Sequence, residues 1–176
     1  MNSQYEKQNI DSRKGTAQRV GFYTALFTAL ITLVTFGMAI IALPNSGPNC
    51  LEGCLEYPYL DSLSQYPIDY RWMVPALLLV LAYLALMAAI HTLAAPGRKV
   101  FSQIGLALAV LSAGILLSDY YLQFAVVPIS LMSGEAEGIP LLTQYNPHGV
   151  FIVLEELGYI VMSLSFLFVA PVFTGK

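Results

Sequence analysis

Four apolar runs dominate this sequence, each close to the length an α-helix needs to cross the hydrocarbon of a bilayer. At 1.5 Å of rise per residue, that length is about 20 residues. Residues 20–43, 73–95, 101–127 and 150–173 meet it, and none of the four runs contains a lysine or arginine. Backbone in lipid must satisfy its polar groups internally, so such runs read as helices. Charged residues make up 11% of the chain, against about 25% in a soluble domain. Lipid-facing apolar side chains account for that deficit. The predicted fold is an all-α integral membrane protein, an antiparallel bundle of four transmembrane helices. Residues 20–176 form one membrane domain behind a polar segment, residues 1–19, which is expected to be mobile. The first run far exceeds the roughly 7–15 residues of a signal-peptide core, and no small-residue cleavage site follows it, so it reads as a retained span.

Basic residues set the orientation. Lys7, Arg13, Lys14 and Arg19 precede the first run, Arg98 and Lys99 separate the second from the third, and Lys176 follows the fourth. Only Arg71 lies in the alternate loops. Basic residues stay on the cytoplasmic side, so both termini and the 96–100 loop are expected inside. The cell membrane is the expected location. The inner loop at Pro96-Gly97 is so short that the second and third spans should pack as a hairpin.

The first outer loop, residues 44–72, contains Pro44, Pro48, Pro58 and Pro67, which argue against long regular structure. Tyr57, Tyr59, Tyr66, Tyr70 and Trp72 crowd its later part. They read first as an aromatic belt at the outer headgroups and second as a lid or ligand platform. Cys50 and Cys54 lie in the same loop, and on an oxidising side they are expected to form a disulfide staple. A thiol-exchange role fits less well, because no second cysteine pair exists to relay electrons.

Residues three, four or seven apart share a helix face. Thr24, Thr28, Thr32 and Thr35 form one stripe; Gly105, Ala109 and Ala113 form another. Both mark faces turned toward other helices, by packing and hydroxyl bonding. The acids Asp119, Glu155 and Glu156 fall within runs and on inward arcs, with Gln123 and Tyr159 at compatible depths and His148 at the outer end of the fourth run. Carboxyls at bilayer depth cost a few kcal/mol each on insertion scales, roughly 2.5–3.5 for Asp at a helix centre, and so point to function. With no cation at their own depth, at least one of the three is expected to be neutral. Asp119 and Glu155 both lie roughly 8–12 Å below the outer boundary and are predicted to face one another. His91 reads as a packed or interfacial residue near the inner surface.

The candidate ligand-binding set is therefore Asp119, Glu155, Glu156, Tyr159, Gln123 and His148. Three functions compete. A small binding or transport protein would hold a proton, cation or cationic amphiphile in the outer-half pocket. A structural or assembly subunit would use the acids only as hydrogen-bonding groups. An intramembrane enzyme would use them as acid and base on a lipid-soluble substrate. A metal site from Asp119, Glu155 and His148 is a variant of the first, although their spacing matches no metal motif. There is no phosphate loop, nucleophile elbow or dinucleotide fingerprint, and no cofactor is expected. A net charge of −3 without a basic patch excludes nucleic acid as a partner. The expected partners are the bilayer and a second copy or another membrane subunit, docked through small-residue faces.

The orientation is directly testable. An epitope inserted after Gly53 should be labelled on intact cells, and one inserted after Gly97 only after permeabilisation. The reverse pattern would invert the topology.

Overall fold

The computed structural model describes residues 2–41, 46–48 and 50–174, with side chains described from residue 15 onward. Lys176, Pro44 and the last two residues of the first predicted span lie outside that set. Four helices among the described residues are long and apolar enough to cross a membrane. They are α1 (Asn2–Ile41), α2 (Met73–Leu93), α3 (Lys99–Ala125) with its continuation α4 (Val127–Met132), and α6 (Val150–Phe173). A single turn, α5 (Ile139–Leu142), interrupts the loop before α6, and no strand occurs among the described residues.

α1 departs from the expected mobile leader. Its 40 residues run unbroken from Asn2, so the polar segment is helical as well. Once the apolar turns are formed, each added residue gains a hydrogen bond without a new nucleation cost. α3 breaks at Val126, and Pro128 sits in the first turn of α4. The proline has no N–H, and its ring crowds the carbonyl four residues back, which ends the straight run of α3 there.

α2 ends where Ala94 and Ala95 turn extended before Pro96, the conformation favoured by a residue that precedes proline. The helix ends nearby are closed by the two cations of this loop. Lys99 Nζ donates to the His91 and Thr92 carbonyls of α2, and Arg98 Nη1 donates to the Pro171 carbonyl and to Thr174 Oγ1 at the end of α6. Cations there satisfy orphan carbonyls and oppose the negative end of the helix dipole. His91 Nδ1 lies 2.9 Å from Ser102 Oγ, a packed pair across the α2–α3 turn.

α3 and α6 form the most extensive contact, α2 packs on α3 and also reaches α6 through Tyr83, whose hydroxyl is hydrogen-bonded to Ser165 Oγ, and α1 packs on α2. The small-residue stripe makes the α3–α6 approach possible. Ala109 and Ala113 are buried, and a Cβ on Gly105 would lie 2.5 Å from Val169 Cγ1 and 3.0 Å from the Ser165 carbonyl. Higher up, Leu116 fills the space above Gly158, and Ser112 Oγ donates to the Gly158 carbonyl at 2.9 Å. The stripe is consumed inside the chain and is not free to receive a second copy.

The threonine stripe behaves differently. Thr24, Thr32 and Thr35 donate to carbonyls one turn back in α1 itself. Among the described side chains of this helix only Thr35 is buried, while Leu33, Ile40 and Ile41 are largely exposed. α1 thus lies at the edge of the bundle, held by α2 and without extensive contact to α6.

The loop between α1 and α2 contains short 3-10 turns at Leu60–Gln65 and Ile68–Tyr70 and the Cys50–Cys54 disulfide. The expected belt divides. Tyr57 stays exposed, but Tyr70 is fully buried, and Trp72 packs edge-on against Tyr120 and Phe151. Tyr70 belongs to the protein interior, and Trp72 is half-buried at its edge.

Gly105→Ala should destabilise the bundle by about 1–3 kcal/mol, the usual cost of overpacking a filled contact. Gly114 faces open space, and Gly114→Ala should be neutral or stabilising by up to about 1 kcal/mol through helix propensity. Thermal unfolding of both variants in detergent checks the contrast.

Candidate functional site

Because α1 and α6 stand apart on one side of the bundle, a cavity of about 800 Å³ opens between them. Its α1 wall is Thr35, Phe36 and Ala39, and its α6 wall is Ile152, Glu155, Glu156, Tyr159 and Ile160. Loop residues close one end: Ser46, Gly47, Pro48, Asp69, Trp72, Gln144, Tyr145 and Pro147. Ligand pockets span about 300–1,000 Å³, so this space suits an organic molecule rather than a bare ion. Three carboxylates line it, and among the described residues no lysine, arginine or histidine does.

The carboxylates are held differently. Glu155 is tied to α3, where the Tyr120 hydroxyl donates to its Oε1 at 2.9 Å. Tyr120 and Tyr159 oxygens lie 3.0 Å apart. A phenol has one proton to give, so with the Tyr120 proton directed at Glu155, the Tyr159 hydroxyl donates to Tyr120. The result is a short chain from Tyr159 through Tyr120 to Glu155, crossing from the cavity wall into the core and back. Asp69 accepts at Oδ2 from the Tyr145 hydroxyl at 3.1 Å. Burial first, then neighbouring Tyr70 and Asp69, raises the Tyr145 phenol well above its ordinary value, so it remains a donor. Glu156 is exposed on α6 and forms no hydrogen bond or ion pair with another described residue.

The predicted set separates into three places. Glu155, Glu156 and Tyr159 share the large cavity. Asp119 and Gln123 line a second, enclosed space of about 30 Å³, bounded by Leu122, Val126, Leu142, Val150, Phe151 and Leu154. Both residues are almost fully buried, and Asp119 Oδ2 and Gln123 Oε1 have no hydrogen-bond partner among the described residues. The Gln123 amide donates instead to the Tyr70 hydroxyl at 3.3 Å. His148 is exposed and lines neither space. The partner of Glu155 on α3 is thus Tyr120, the neighbour of Asp119 in sequence. No three His, Cys, Asp or Glu side chains among the described residues are placed to hold a metal ion, so Asp119, Glu155 and His148 do not form such a site.

Asp69, Trp72, Gln144 and Tyr145 complete the cavity but were not in the sequence-derived set. The aromatic crowding before the second span is the one signal that pointed toward them, through the platform reading of Trp72. No family model matches this sequence, and no curated protein or solved structure is detectably similar to it.

Tyr120→Phe keeps the ring packed against Trp72 and Phe151 and removes the hydroxyl that Glu155 and Tyr159 share. Leaving a buried acceptor unsatisfied costs about 1–3 kcal/mol. Thermal unfolding should register that loss, and Tyr120→Phe in a Glu155→Gln background should cost less than in the wild type.

Proposed function

We propose that this chain is a four-span protein of the cell membrane that binds a cationic ligand in the outer half of the bilayer. In this reading the helices form an antiparallel bundle with both termini inside. The biased placement of Arg98, Lys99 and the N-terminal basic residues supports that orientation. So does the meeting of the α2 end, the α3 start and the α6 end around Arg98 and Lys99. The α1–α6 cavity then opens toward the outer surface.

One observation carries the binding reading. Glu155 and Glu156 face a ligand-sized cavity that no described basic side chain lines. Carboxylates at membrane depth without a cationic partner are costly, and a bound cation removes that cost. Binding is favoured over transport, because below the site the Ser163 hydroxyl bonds back to the Tyr159 carbonyl of its own helix and offers no polar step further inward.

Trp72 is the chain's one tryptophan and lines the cavity, so its fluorescence reports on occupancy. In nanodiscs of neutral lipid, a saturable Trp72 change is expected with sodium, calcium, tetramethylammonium or a longer-chain trimethylammonium. Removing one partner of a buried charge pair costs about 2–5 kcal/mol, so Glu155→Gln with Glu156→Gln should weaken the response by at least about tenfold. No response to any of these cations, or the same response in the double variant, would overturn the proposal.

A further inference from the structure

The shape and chemistry of the cavity narrow the ligand class beyond a cation of any kind. Although three acids line it, no three of them converge closely enough to coordinate a metal ion. They are spread from Asp69 at the loop end to Glu155 and Glu156 on the α6 wall, which suits a diffuse organic cation. Aromatic rings stand beside the acids: Trp72 and Tyr145 at the outer end and Tyr159 one turn below Glu155. Such rings attract ammonium groups through their faces, and quaternary ammonium is the form most often recognised that way.

The remaining wall is apolar. Phe36 and Ala39 of α1 face Ile152 and Ile160 of α6 across the gap, and Phe36 and Ile160 are about half exposed at 47% and 58%. Because α1 and α6 lack extensive contact, the cavity continues into a seam between two helices whose outer faces are themselves apolar. In a bilayer that seam meets acyl chains. A ligand with an apolar chain can leave the chain in the seam while its head lies among the carboxylates. A compact ion would leave both the seam and most of the volume to other molecules.

We propose that the ligand is a single-chain organic ammonium amphiphile that enters sideways from the outer leaflet between α1 and α6. Its head lies against Glu155, Glu156 and Asp69, and its chain lies against Phe36, Ala39 and Ile160. This inference rests on the cation-binding reading above and specifies the ligand within it.

The test uses the full chain in phosphatidylcholine nanodiscs and two probes, tetramethylammonium and a dodecyltrimethylammonium with a diazirine at its chain end. After photolysis, the diazirine should mark peptides containing Phe36, Ala39 or Ile160 in preference to other apolar faces, such as that of α3 around Val110. Marking there should fall at least about tenfold in Glu155→Gln with Glu156→Gln, the loss expected when a charge partner is removed. Circular dichroism of the same variant in the same nanodiscs verifies that the helices remain. Trp72 should also respond to the chained probe at lower bulk concentration than to tetramethylammonium.

Uniform marking of all apolar faces, or marking at the seam that is unchanged in the double variant, would overturn the proposal. If tetramethylammonium or an inorganic cation saturates Trp72 as readily as the chained probe, the amphiphile assignment falls and cation binding stands. If no cation moves Trp72, both fall.

Discussion

The α3–α6 contact is the constraint on which the rest of this structure depends. Gly105 admits Val169 near one end, Gly158 admits Leu116 further along, and Ser112 bonds the Gly158 carbonyl between them. Beyond them, toward the end where α6 begins, the same interface passes into Tyr120 and Glu155. Each contact fixes the rotation of α6 about its axis. With Glu155 turned to α3, the next residue, about 100° further round, is turned away from it. Glu156 therefore faces the gap beside α1, where no described residue neutralises it. The acid that looks costly on its own follows from how the helix is locked.

α1 plays the opposite part. Thr24, Thr32 and Thr35 bond their own backbone, and its extensive contact is with α2. Nothing draws α1 against α6, so the cavity persists between them. In water such an exposed apolar helix would be a liability; in lipid it has no drive to collapse, because acyl chains solvate it as well as leucine does. The membrane thus permits an open groove that a soluble bundle of this size would close.

The spans were legible from length and hydropathy, because lipid imposes one answer on long apolar runs. The Cys50–Cys54 pairing was legible from proximity in sequence. Which acids share a space was only partly legible. Glu155 and Tyr159 follow the four-residue period and land together, with Glu156 beside them. Asp119 and Gln123 share a period too, but α3 is buried on several sides, so its pattern does not say which buried face meets which neighbour. Tyr120 makes the hydrogen bond to Glu155, one residue and about 100° round from Asp119. Asp69, Gln144 and Tyr145 reach the cavity from loops, whose return path depends on long-range packing that carries no periodic signal. Likewise, Trp72 could not be separated from an aromatic belt until its packing on Tyr120 and Phe151 was seen.

The central claim is that an open, acidic cavity between α1 and α6 attracts cations from the outer side. Both native cysteines are held in a disulfide, so Ala39→Cys places the only free thiol on the α1 wall, opposite the acids. The decisive measurement is its rate of modification from outside by a trimethylammonium methanethiosulfonate and by the sulfonate reagent of similar size. The account predicts that the cationic reagent reacts several-fold faster and that Glu155→Gln with Glu156→Gln brings the two rates together, since only charge distinguishes them. A thiol at Ala39 that neither reagent reaches, or equal rates with both carboxylates intact, would contradict it.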